Sequence, residues 1–86
     1  MREIKIDPDS AVPVYRQLVD ALRARIESGE IEPGRRMPSE TDLEQATGLA
    51  RGTIRKSVET LRAEGLIITV KGKGSFVAEH QDDATD

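Results

Sequence analysis

A short stretch in the second half of the chain carries the side chains best suited to chemistry with an anionic partner. Arg51, Thr53, Arg55 and Lys56 lie within six residues of one another, at the start of a segment with helical apolar spacing. Arginine offers a planar fork of N–H donors, lysine a point charge and threonine a short hydroxyl. Such groups hydrogen-bond to phosphate oxygens and to base edges. The stretch therefore indicates nucleic-acid binding.

A second basic group follows where Lys71 and Lys73 flank Gly72. Runs rich in β-branched and apolar residues precede and follow it, at 66–70 and 75–78, which predicts a hairpin with a basic tip. The glycines and lysines do not have the spacing of a nucleotide-binding phosphate loop. We expect the tip to lie along the DNA backbone or the minor groove.

Net charge alone would disfavour nucleic acid, because the 86 residues carry −3 overall. The distribution argues otherwise: residues 51–77 carry +4, whereas 1–50 carry −3 and 78–86 carry −4. A partner with a charged surface responds to the local field rather than to the total. One face can therefore be basic on an acidic protein.

Catalysis and metal binding are not predicted. The chain has no cysteine, and its one histidine, His80, lies in an acidic tail near Asp82 and Asp83. Carboxylate pairs such as Asp7 and Asp9 lie in turns, without a pocket that would perturb a pKa. We expect no enzyme activity, no cofactor and no metal. The absence of a membrane-spanning run or signal peptide predicts a cytoplasmic protein without a membrane partner.

Three helices and a hairpin must position the basic residues. Residues 1–12 form an extended lead-in, and a first helix follows from Pro13 until Gly29. Residues 29–38 are predicted to be a connector. The apolar stripe of the first helix is Val14, Leu18, Leu22 and Ile26.

The second helix has a strong start signal, because Ser39 and Asp42 have the spacing of a short capping box. Gly48 ends it. The third helix begins near Ala50, which cannot cap it, and stops at Gly65. Its apolar stripe is Ile54, Val58 and Leu61.

These elements predict a mainly α fold with a small β-hairpin, a three-helix winged helix-turn-helix. Residues 13–78 form the DNA-binding domain, and 79–86 form an acidic tail that we expect to be disordered. The predicted core is Leu18, Leu22, Ile26, Leu43, Ile54, Val58, Leu61, Leu66, Ile68 and Phe76.

In such a fold the third helix, near 50–64, enters the major groove by its N-terminal end, and the hairpin tip at 71–75 is the wing. Gly52 keeps that end small, so that the backbone can approach the duplex. The predicted DNA-binding residues are Arg51, Gly52, Thr53, Arg55, Lys56, Ser39, Thr41, Lys71, Gly72 and Lys73.

The order and spacing of many short motifs across residues 13–77 resemble the GntR family of bacterial repressors. The resemblance implies a three-helix winged domain that binds palindromic operators as a dimer. It also implies that Arg51, Thr53 and Arg55 occupy base- and phosphate-contacting positions and that Gly72 occupies a wing contact. The matching pieces are PVY at 13–15, SG at 28–29, PG at 33–34, MPSE at 37–40, TIR at 53–55, EGLI at 64–67 and GKGSFV at 72–77, with Leu43, Gly48, Arg51 and Leu61.

Three departures from the family pattern stand out. Thr41 replaces a common DNA-contacting arginine, and Ala50 replaces a serine that would cap the third helix. Family members also commonly continue into a second domain. With little surface to spare, this chain is expected to be a monomer or weak dimer that pairs on DNA. A winged-helix module that binds proteins, or one that binds double-stranded RNA, remains an alternative.

Overall fold

The computed structural model describes residues 4–79 of the chain. Residues 80–86, which make up all of the predicted disordered tail except Glu79, lie outside the described residues. Three helices precede a two-stranded antiparallel hairpin, and this arrangement confirms the predicted fold class. The elements are α1 Val14–Glu27, α2 Glu40–Thr47, α3 Arg51–Ala63, β1 Ile67–Val70 and β2 Gly74–Val77.

The capping box predicted at the start of α2 is present. Ser39 Oγ accepts a hydrogen bond from the Asp42 backbone N–H at 3.0 Å, and Asp42 Oδ2 accepts one from the Ser39 N–H at 3.0 Å. These bonds satisfy two N–H groups that a helix start leaves without partners. The hydrogen bond from the Ser39 backbone is the main cause that lowers the pKa of Asp42. The box therefore fixes where α2 begins.

Gly48 makes the turn between α2 and α3. Its φ of +75° lies in the left-handed region, which glycine enters without the steric cost that a Cβ imposes. Its N–H donates to the Glu44 carbonyl at 2.8 Å. Three residues later α3 begins, so this glycine sets the angle at which the third helix leaves the second.

The core lies where α1 packs against α3, and residues of α2 and of both strands complete it. Ile4, which the predicted core omitted, is 4% exposed and belongs to it. Gln17 holds the lead-in in place, since its Nε2 donates to the carbonyls of Asp7 and Val12 at 2.8 Å each. The buried apolar residues are Ile4, Leu18, Val19, Leu22, Met37, Leu43, Ile54, Leu61, Ile67 and Val77.

Two predicted core residues are wrong: Ile68 is 51% exposed, and Phe76 is half-buried and belongs neither to the core nor to the residues packed against it. In the hairpin Ile67 pairs with Val77, and both are buried, whereas Ile68 pairs with the half-buried Phe76. Successive strand residues point to opposite faces, so only one of two adjacent isoleucines can face the core. Other predicted core residues pack half-buried against it, namely Ile26, Val58 and Leu66.

The segment predicted as a plain connector lies along the free edge of β2. The Met37 N–H donates to the Ser75 carbonyl at 2.8 Å, and the Val77 N–H donates to the Arg35 carbonyl at 2.8 Å. An isolated bridge also pairs Arg36 with Phe76. The chain that leads into α2 is therefore hydrogen-bonded to the hairpin, which couples the position of the hairpin to that of α2.

Candidate nucleic-acid interface

One side of α3 is buried against the core, and its other side therefore faces solvent. Ile54 and Leu61 are fully buried, and Ser57 lies between them on the same side with no exposed surface. The Ser57 hydroxyl lies 3.1 Å from the Tyr15 carbonyl of α1 and 3.0 Å from the Thr53 carbonyl one turn earlier, so it can donate to either. This satisfies a buried polar group and ties α3 to α1. The rotation of α3 about its axis is thereby set.

Arg55 lies on the solvent side of α3, and its side chain is 62% exposed. Within residues 4–79 it makes one hydrogen bond, from Nε to Glu40 Oε1 at 3.4 Å, a long distance for a charge-assisted bond. Both Nη groups are therefore directed to solvent or to a partner. Arg55 has the freedom that recognition of a base edge requires.

Arg51 is held much more firmly, by α2. Its Nε and Nη2 donate to the two carboxylate oxygens of Glu44 at 3.0 and 2.7 Å, a bidentate pair. Its Nη1 donates to Glu40 at 3.3 Å and its Nη2 to the Thr41 hydroxyl at 3.3 Å. The hydrogen bond with Glu44 is the main cause that raises the pKa of Arg51 and lowers that of Glu44.

Thr41 occupies a position where the family commonly has an arginine, and its hydroxyl accepts a hydrogen bond from Arg51. Together with Glu40 these residues join the start of α2 to the start of α3. Ser39, one residue before α2, has its hydroxyl in the capping box. Three predicted site residues, Thr41, Arg51 and Arg55, therefore lie together between the two helices. Two glutamates that were not predicted, Glu40 and Glu44, lie among them.

Gly52 and Lys56 complete the α3 surface. A Cβ placed on Gly52 would meet no heavy atom within 4 Å among the described residues, so packing inside the chain does not require a glycine there. Close approach of a partner remains a reason for it. The Lys56 ammonium lies 4.0 Å from the centre of the Tyr15 ring, within cation–π distance, at the edge where α1 meets α3.

The wing tip is a second, separate surface. Lys71, Gly72 and Lys73 are all exposed, and Gly72 has a φ of +79° in the turn between the strands. Arg36, from the segment along β2, donates through Nη2 to the Lys73 carbonyl at 2.5 Å. Arg36 was not among the predicted site residues, because nothing in its local sequence indicates a contact with a residue 37 positions away.

Two absences apply to residues 4–79. In that part of the chain no helix is long and apolar enough to cross a bilayer. The same residues include no group of three or more His, Cys, Asp or Glu side chains placed to hold a metal ion.

Comparisons with known proteins agree with this geometry. Residues 14–77 match the family described as "Bacterial regulatory proteins, gntR family". The chain is 34% identical over 76 residues to the HTH-type transcriptional repressor NagR of Bacillus subtilis, covering 88% of this chain and 31% of NagR. It is 40% identical over 73 residues to the histidine utilization repressor of Klebsiella aerogenes, covering 84% of this chain and 30% of the repressor.

Solved structures match over nearly all of the chain. AraR(DBD) in complex with operator ORX1 superposes with a TM-score of 0.80 at 34% identity, covering 91% of this chain and all of the other. YtrA from Sulfolobus acidocaldarius, a GntR-family transcription factor, superposes with a TM-score of 0.82 at 32% identity, covering 94% and 85%.

The chain thus spans about three tenths of the length of NagR and of the Klebsiella repressor, whereas it spans the whole of AraR(DBD). The family match covers all three helices and both strands. The same elements carry the basic side chains at the start of α3 and at the wing. The chain belongs to the GntR family of bacterial regulatory proteins.

Proposed function

We propose that this chain binds double-stranded DNA sequence-specifically as part of a bacterial transcriptional repressor, with residues 13–78 as the binding unit. The observation that carries the proposal is the asymmetry of α3: one side is buried, and the other exposes Arg55 next to Gly52 at the helix start. An exposed helix start with these side chains suits a major groove. AraR(DBD), a structural relative, was solved in complex with an operator.

The residues divide into those that contact bases and those that contact the backbone. Arg55 is the base-reading residue, since its guanidinium is largely free to donate to O6 and N7 of a guanine. Thr53 and Lys56 contact phosphates beside the groove, and Gly52 admits the backbone. Ser39 and Thr41 lie at the start of α2, where hydroxyls and helix N–H groups favour a phosphate.

The wing supplies the second contact, through Lys71, Gly72 and Lys73. Flexible, exposed lysines at a hairpin tip suit phosphates along the minor groove rather than base edges. Arg36 fixes the tip from behind by its hydrogen bond to the Lys73 carbonyl. The wing therefore adds affinity without adding much sequence preference.

The bound DNA is a palindrome read by two copies. A weak contact between copies becomes effective once both are held on neighbouring half-sites, because the second association is then intramolecular. We propose a DNA-assisted homodimer that is at most weak in free solution. A regulator of chromosomal DNA acts in the cytoplasm, needs no cofactor to bind, and has no catalytic role.

Selection of bound duplexes from a random pool tests this function. We expect enrichment of a two-half-site palindrome, with each half bound more weakly alone than within the pair. A pool that stays random after repeated selection would refute the function and favour the alternative of a winged-helix module that binds proteins. Enrichment of a single, non-repeated half-site would refute the paired mode of binding.

Replacing Lys73 with alanine tests the wing. We expect weaker binding to the selected and to a shuffled duplex alike, and a salt dependence of log K that is shallower by about 0.9 units, the value for one lost phosphate contact. Lys5→Ala removes the same charge from the exposed lead-in and serves as the control. Loss confined to the selected duplex would show that the wing contacts bases.

A further inference from the structure

The donors of Arg51 are occupied inside the protein. Four hydrogen bonds to α2 involve all three nitrogens of its guanidinium, and two of them form the bidentate pair with Glu44. The Nε and Nη2 edge, one of the two edges that could hold a guanine bidentately, already holds the Glu44 carboxylate. Glu40 and Thr41 take further donors. Arg51 as it stands in the free protein has no complete edge to offer DNA.

Arg55 shows the contrast four residues later on the same helix. Its side chain is 62% exposed, against 41% for Arg51, and its hydrogen bond to Glu40 within residues 4–79 is 3.4 Å long. DNA can engage Arg55 with little rearrangement. To engage Arg51, DNA must displace the Glu44 carboxylate, which then lies unpaired beside a polyanion.

This exchange has different consequences on different DNA. A single non-specific phosphate replaces one anion by another, and the displaced Glu44 repels the duplex, so the exchange gains little. At a matched site a guanine can replace the carboxylate bidentately while Arg55 and the wing hold the register. Glu44 therefore lowers the affinity for the matched operator through Arg51, in addition to carrying the same sign of charge as DNA.

We propose that Glu44 limits the affinity of the protein for its operator, because the Arg51 guanidinium must leave the Glu44 carboxylate before it can contact a base. The inference rests on the proposed function and deepens it. It assigns a role in setting operator affinity to an acidic residue on the second helix, whose partner in the free protein is a predicted DNA-contacting arginine.

Glu44→Gln is the direct test, because glutamine keeps the shape of the side chain but cannot form the ion pair. On a shuffled duplex we expect about fivefold tighter binding and a salt dependence of log K steeper by about 0.9 units, as one phosphate contact is added. On the duplex selected from the pool we expect a gain of at least the same size, because the wild type must break the Arg51–Glu44 pair to bind it through Arg51. The ratio of the two affinities should therefore stay the same or rise.

Two further variants isolate the cause. Glu27→Gln removes one negative charge from an exposed position at the end of α1 and should leave both affinities and both salt slopes unchanged. Adding Arg51→Ala to Glu44→Gln should abolish the gain on the shuffled duplex, since the gain acts through Arg51. Urea denaturation of each variant confirms that the binding measurements concern folded protein.

The outcomes separate the inference from the function on which it rests. If the wild type discriminates between the duplexes and Glu44→Gln behaves like Glu27→Gln, the inference is overturned and the function stands. Weaker binding of Glu44→Gln to both duplexes also overturns it, because Glu44 would then orient Arg51 for contact. A wild type that binds both duplexes equally refutes the function and the inference together.

Discussion

Replacing Arg55 with alanine is expected to weaken binding to the selected operator by about 1–3 kcal/mol, or about 5- to 150-fold in Kd. The loss follows from removing a bidentate donor from the exposed start of α3, and preference for one base at its position should relax. The free energy of unfolding should change little, because the side chain is 62% exposed and has one long contact within the described residues. Titration of labelled duplexes bearing each base at each position measures both effects.

Arg62→Ala is the matched control. Arg62 lies two turns further along the same helix, where it donates to the Thr69 hydroxyl at 3.0 Å. We expect at most a uniform loss across sequences, equivalent to one phosphate contact. Equal effects of the two variants on base preference would contradict the assignment of the helix start as the base-reading end.

The largest effect on stability is expected for Ile54→Ala. Ile54 is fully buried on the core side of α3, and truncation leaves a cavity as well as lost burial, at a cost of about 2–5 kcal/mol. Domains of this size have a free energy of unfolding of about 5–15 kcal/mol, so the variant should be partly unfolded or easily denatured. Urea denaturation followed by circular dichroism gives the difference.

Ile68→Ala provides the same chemical change on the surface. At 51% exposure, and with one cross-strand neighbour in Phe76, Ile68 should contribute less than about 1 kcal/mol. A larger loss at Ile68 than at Ile54 would mean that the register of the hairpin or the rotation of α3 differs from that described.

The three-helix order and the ends of its second helix could be predicted because their causes are local. Ser39 and Asp42 satisfy each other across one helical turn, and Gly48 takes a left-handed backbone conformation that glycine adopts without steric cost. Helical periodicity located Ile54 and Leu61 on the buried side of α3, since a helix has a fixed number of residues per turn. The basic, glycine-flanked tip of the hairpin followed from composition alone.

Which residues of β1 face the core could not be predicted, because the run from Leu66 to Val70 is apolar almost throughout. Alternation defines a face only when polar and apolar residues alternate, and here both of two adjacent isoleucines fit a core. In the structure β1 packs against α3, and Ile67 is the isoleucine that is buried. The burial of Ile4 is also a tertiary outcome, since it depends on Gln17 holding the lead-in against α1.

The sequence by itself thus determined the family, the elements and which side chains have types suited to a polyanion, because residue type and spacing along the chain are sufficient for these. Only the tertiary structure decided which of those residues are available. Arg51 and Arg55 look alike in sequence, but the approach of α2 places Glu44 on one and leaves the other largely exposed. Arg36 reaches the wing in the same way. Charges that meet across separate elements depend on how those elements pack, and no local pattern records that geometry.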